Sequence, residues 1–417
     1  MDGQRVPRRV PPFPRREPAL ISGLPRALHD RIMHAVVGGP VHWDAALRER
    51  MIDGLWERDE PMGRLVDWMF ATDAKQGKAL FEQALEQGIE SVPDAPEELR
   101  AFFARIDRRP KWVDMAKVRR GARAVNAIGP MAVYIGRDMS IMGGYLLAGF
   151  NEQLMMTGAL HKGSGRRFAE TATWGADTVS PDGLERFGAG FKSTIRVRMV
   201  HALVNRALER NPKWDAAMWG LPINQTDMLA TILGIALVAF ASRLLGVPIT
   251  RDECDAVIHH GRYVAWLLGV KDEFLFDSVH DAIRLLMHAV STHPRGGESA
   301  RLLAQSLAAE PLTRHYAHFQ WLRRRFEHSK HLSMSRFLVG KKGLAKLGVP
   351  TILPWYPMLT IPGRFVWQAV HRALPGGYRR LIERGRQEQL RLIEIFHEGA
   401  RSAGGIIKPD TSHPAHV

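Results

Sequence analysis

The chain has 417 residues, 45% hydrophobic and 24% charged, with a formal charge of +15 from 58 basic and 43 acidic residues. This composition buries a full core and excludes a disordered chain. The positive balance favours anionic surfaces or acidic cofactors, but no zinc-finger spacing, glycine-rich RNA motif or basic helix leading into heptads marks a nucleic-acid partner.

The first stretch, residues 1–19, is basic and rich in proline, with paired arginines and no apolar run after them. It reads as a flexible arm and not as a secretory leader. From about residue 20 to 345 the pattern is all-α, a single large helical body. Apolar residues recur at three- and four-residue spacing over Ala45–Trp56, Lys78–Gln87, Glu97–Ile106, Met115–Ala127, Tyr145–Thr157 and Arg166–Ala176. The same spacing runs on through Gly190–Arg210, Gln225–Leu245, Arg251–Leu268, Asp277–Ala289, Ser299–Ala308 and Pro311–Glu327. No alternating strand pattern of useful length interrupts them.

Two of these segments carry chemistry. On Arg166–Ala176, the side chains of Arg167, Glu170 and Thr171 stand at spacings of three and four, so one helix face presents all three. The trio can line a small-ligand site, with Glu170 as a general base if burial raises its pKa, or it can be a solvated face with an internal Arg–Glu pair. On Gly190–Arg210, His201 sits among apolar positions, with Arg198 three residues before and Asn205 four after, all on one side. One histidine is too few for zinc, but it is enough for haem, where the porphyrin supplies four bonds to iron and a side chain one. Arg196 and Arg198 can then meet the propionates. A core histidine bonded to a backbone carbonyl explains the same residues, and both readings stand.

Further along, "WGLPINQTD" (residues 219–227) suggests a fixed entry turn capped by Asn224 or Thr226. Met228–Phe240 is the most apolar stretch, too short for a confident membrane span and read as a core helix; the positive charge still permits peripheral membrane contact. His259 and His260 have only Asp255 at ligand spacing, a weak metal signal. Cys254, the only cysteine, excludes an intrachain disulfide and fits a reducing compartment such as the cytoplasm. Residues 346–417 read as a C-terminal extension, made of a proline-broken surface segment, one basic helix near Tyr378–Glu398 and a disordered tail from Ser402.

Six segments, "ALEQGIESVPDAPEELRAFFARID", "KWVDMAKVRRGA", "GRRFAET", "VRMVHALVNR", "WGLPINQTD" and "RYVAWLLGV", occur in an order that resembles the latex-clearing-protein and mycophenolate-pathway oxygenase superfamily over residues 78–345. The resemblance implies a helical catalytic domain over 20–345 with a globin-like core around haem b, and a haem-dependent oxygenase that takes a hydrophobic, unsaturated lipid or isoprenoid-like substrate with dioxygen. It matches His201 to the axial iron ligand, Arg198 to the arginine before it, Arg167 and Thr171 to the distal pair, and Glu152 to a catalytic glutamate on the preceding helix. Two positions depart from the family pattern: Asn205 stands where an arginine is usual, and Glu170 where rubber-cleaving members carry lysine. Glu170 leaves room for a haem sensor, carrier or peroxidase-like protein that cleaves no alkene, and a cofactor-free helical binding protein is the remaining alternative. The sequence leaves the oligomeric state unknown.

Overall fold

A computed structural model describes residues 6–12, 39, 41–158, 164–294 and 296–402. Among the described residues there are helices and turns but no strands. The helices are α1 (Ala45–Asp53), α2 (Glu60–Ala71), α3 (Ala74–Gln87), α4 (Glu97–Asp107), α5 (Met115–Ile128) and α6 (Pro130–Ile135), followed by a wide π turn at Gly136–Ile141. Next come α7 (Ala148–Met156), α8 (Ser164–Thr178), α9 (Ala189–Glu209), α10 (Gln225–Ala236), α11 (Val238–Leu244) and α12 (Arg251–Leu267). The chain continues through α13 (Val279–Val290), α14 (Glu298–Ala309), α15 (Gln320–Leu338), α16 (Gly340–Lys346), α17 (Trp355–Ala373) and α18 (Gly377–Ser402).

Local chemistry sets many of these boundaries. Thr250 and Glu253 close a reciprocal capping box at the start of α12. Asn224 Oδ1 accepts from Asp227 N and so caps α10, as its position before the helix suggested. The close contact of α5 with α12 depends on Gly121, where a Cβ would lie 2.3 Å from the carbonyl oxygen of Ala256.

The largest core cluster joins α2–α4 to α9, α10, α12 and α13. The stretch Gln225–Leu244 is long and apolar enough to cross a membrane, but 76% of it is buried, so it belongs to this core.

The structure revises several expectations. The stretch Pro311–Glu327 is not one helix: a short 3-10 turn, Glu310–Thr313, precedes a loop, and α15 begins at Gln320 after Phe319 in a left-handed conformation. The segment read as proline-broken is helical from Trp355: Pro357 falls in the first turn, where its missing N–H has no intrahelical partner to lose, and Pro362 is carried inside the helix at the cost of one intrahelical bond. The arm expected to be flexible is anchored at 6–12, while the rest of 1–19 lies outside the described residues. There Arg9 is buried and pairs with Asp227 through two bonds of 3.0 and 2.6 Å. A carboxylate buried in the first turn of α10 requires such a cation; burial works against its charge, but Arg9 and His293 hold it ionised, well below the usual carboxylate range.

The C-terminal helix packs on the body. Gln389 donates to the carbonyls of Val125 and Gly129, and the Phe396 ring packs at a tilt against Phe168, 4.8 Å between centroids. The tail expected to be disordered lies, from residue 403, outside the described residues.

Candidate functional site

Helices α8 and α9 run antiparallel and are clamped together near their connection. Gly190 permits this, since a Cβ there would meet the backbone of Asp177 and Thr178 at 2.5–2.8 Å. The clamp is completed by Trp174 Nε1, which donates to Thr194 Oγ1 at 3.0 Å. Seven residues before Trp174 is Arg167, and seven after Thr194 is His201. Two helical turns on each strand of the hairpin, about 10 Å at 1.5 Å per residue, bring these two side chains to the same level on facing stripes.

Their surroundings agree with that placement. His201 is half-buried and Arg167 keeps an exposed side chain, and the two are close enough for the Arg167 charge to act on the imidazole. Burial lowers His201 to about 4; Asp59 opposes this and the Arg167 charge adds to it. The imidazole is therefore neutral, the form that ligates metal. Its Nδ1 is buried without a hydrogen-bond partner. Val197 and Val204, near His201 on the same helix, are both half-buried apolar side chains.

Arg198 is buried. It grips the Asp59 carboxylate at 2.5 and 2.7 Å, donates to Leu267 O at 3.2 Å and lies over the Phe102 ring. Arg196 is held by Glu82 and Glu86 of α3. Both arginines expected to meet a cofactor are thus engaged by the protein's own carboxylates. Asn205 is buried one turn beyond His201, and its Oδ1 also lacks a partner.

On α8, Glu170 pairs with Arg166 at 2.9 Å and not with Arg167. Thr171 donates to the carbonyl of Arg167. Glu152, on α7, accepts from Ser299 at 2.7 Å and makes no hydrogen bond to this trio. Arg167 itself has no hydrogen bond or ion pair among the described residues, and desolvation lowers its pKa. Its guanidinium, with Tyr145 and Glu170 as the nearby groups that favour its charge, remains open to a ligand beside His201.

The sequence did not point to Asp59, Tyr145 or Trp174. Asp59 is more than a hundred residues from Arg198, and only the fold joins them. Tyr145, whose buried phenol is raised by desolvation and faces the Arg167 charge, lies in a stretch with no motif. Trp174 closes the segment containing Arg167, and its indole N–H, which needs a partner when buried, was the one available signal.

The donor set suits haem. Among the described residues no group of three or more His, Cys, Asp or Glu could hold a metal ion, whereas His201 offers a neutral imidazole with a ring nitrogen that has no hydrogen-bond partner. His259 and His260, the weaker metal candidates, bond instead to the amide of Asp114 and the carbonyl of Thr178.

Residues 132–392 match the family described as ER-bound oxygenase mpaB/B'/Rubber oxygenase, catalytic domain. The match runs past residue 345 and takes in α17 and most of α18. A rubber oxygenase of Streptomyces sp. (strain K30) is 26% identical over 237 residues, 55% of this chain and 56% of that protein. The matched region thus spans about half the length of that curated relative. The solved latex clearing protein LCP in the closed state superposes with a TM-score of 0.59 at 21% identity, covering 86% of this chain and 94% of that one; this likeness concerns the fold.

Proposed function

Because the chain belongs to the ER-bound oxygenase mpaB/B' and rubber oxygenase catalytic-domain family, we propose that it is a haem b-dependent oxygenase that uses dioxygen on a hydrophobic, unsaturated lipid or isoprenoid-like substrate, within a globin-like helical core. The observation that carries this reading is a neutral His201 whose buried Nδ1 has no hydrogen-bond partner, with the Arg167 guanidinium beside it on the facing helix.

Haem b, when bound, supplies a redox-active iron that activates dioxygen. His201 would hold that iron, since burial keeps its imidazole neutral. Asn205 Oδ1 is the acceptor available to His201 Nδ1–H: both atoms are buried and unpaired, four residues apart on one helix. The Arg198–Asp59 pair fixes α9 from behind without spending Arg198 on the cofactor. Arg167 would offer its cation to negative charge developing beside the bound group. Glu170 bonds Arg166 at the surface, and its charge also reaches Arg167. The free, buried Cys254 suits a reducing compartment such as the cytoplasm.

The test is the absorption spectrum of protein purified from haem-supplemented cells. A stoichiometric Soret band that vanishes in His201→Ala and survives in Arg167→Ala is expected. Its absence from folded, haem-replete wild-type protein would remove this reading. A second reading, a haem carrier or sensor, is favoured by the carboxylate of Glu170 on the distal helix. Turnover of a terpenoid set with dioxygen separates the two.

A further inference from the structure

Helix α17 is built inside out. Its polar side chains point at the protein: Arg364 donates to Leu245 O, Gln368 to Ala127 O at 2.9 Å, and Arg372 to Glu253 at 2.8 Å. Its outer face carries Met358, Leu359, Pro362, Phe365, Val366 and Val370, and no polar residue between Trp355 and Ala373 is exposed. Leu359 is 74% exposed.

The start of α15 extends this surface. Phe326 lies 5.7 Å from the Trp355 ring, and Phe319, Trp321 and Leu322 project beside it, Trp321 at 72% exposure. A contiguous apolar surface of this kind marks an interaction site.

Charge identifies the occupant. Between Glu327 and Glu383 the chain has no acidic residue and nine Lys or Arg, and Arg323 and Arg325 are exposed among the α15 aromatics. A second copy docked by the same face would set cations against cations. An anionic bilayer complements both features, since apolar and aromatic side chains enter the acyl boundary while arginines meet the headgroups. The polar tethers of α17 hold it against the body along its length, so it lies in the plane of the interface and does not cross.

We propose that the outer face of α17, with the first turns of α15, is a membrane-docking face for anionic lipid. This stands on the surface alone and does not depend on the oxygenase reading.

The test uses the full chain with vesicles of phosphatidylcholine, with and without phosphatidylglycerol. Sedimentation with the anionic vesicles is expected, falling by at least about tenfold in Leu359→Glu/Phe365→Glu and unchanged in Phe70→Glu, an exposed aromatic on α2. Arg323→Glu/Arg325→Glu should weaken binding to the anionic vesicles only. A second readout avoids the doubly acidic variant: Leu359→Cys labelled with an environment-sensitive dye, Cys254 being buried, should blue-shift on anionic vesicles. No binding to either vesicle, or a dye unmoved by them, overturns the proposal. So does self-association abolished by Leu359→Glu/Phe365→Glu in a protein that ignores vesicles.

Discussion

The buried charges around Arg314 and the buried polar groups around His201 sit on adjoining elements but are completed in opposite ways. Arg137 and Arg314 share the Glu310 carboxylate at 2.8–3.2 Å, Arg314 also reaches Glu327, and Lys330 bonds Glu327 and the Tyr134 hydroxyl. His331 donates to Asp138 at 2.6 Å, kept neutral by burial and the surrounding cations. These side chains are nearly all fully buried, and each finds a partner. Around His201, by contrast, the buried His201 Nδ1 and Asn205 Oδ1 are unpaired, and Arg167 makes no hydrogen bond among the described residues. The two regions come within reach of each other where Arg137 lies over Phe168, the neighbour of Arg167. A protein that satisfies one set of buried charges so fully and leaves the next incomplete is holding the second for something else.

Four measurements sharpen or break this contrast. The largest effect is expected for His201→Ala, which should lose haem altogether while its far-ultraviolet circular dichroism stays helical; an undiminished Soret band would place the ligand elsewhere. Next, Glu310→Ala strands two buried arginines and should cost about 3–5 kcal/mol in chemical denaturation, with haem stoichiometry intact in the folded fraction. If instead it barely changes stability, the network around Arg314 is not the structural counterpart drawn above.

Third, Asn205→Leu should weaken haem affinity by about tenfold or more and shift the iron–histidine stretching frequency. A purely packing role for Asn205 would leave that frequency where it was. The smallest effect is on pH dependence. His201 and His260 are each lowered by burial to about 4, so between there and the ordinary imidazole value the unfolded chain binds more protons than the folded one. Stability of the apoprotein should therefore fall as pH drops from about 6.5 to 4. His201→Leu should flatten that dependence in part, leaving the share due to the other histidines lowered by burial, His260 and His331 foremost. An unchanged slope in denaturation series at pH 7 and 5 would show His201 to be protonated in the fold.

Much of this was legible locally. The helix around His201, its apolar neighbours and the caps at Asn224 and Thr250 depend on residues within one or two turns of each other, and short-range spacing reports them directly. Arg198 shows where that stops. Its position on the His201 face suggested a cofactor contact, but Asp59 from α2 claims the guanidinium, and no spacing within α9 carries that information. The proline-rich segment before residue 363 misled for a related reason: prolines predict a break, but the tethers from α17 to Leu245, Ala127 and Glu253 hold the helix in place.

The sequence by itself determined the all-α class, the core helices and the one histidine placed to serve a cofactor, because helical periodicity is a local property of the chain. The tertiary structure decided which buried polar groups are satisfied, which arginine is left free and which face of α17 meets the outside. Those outcomes depend on partners tens to hundreds of residues away, chosen by packing and by the cost of leaving a buried charge alone.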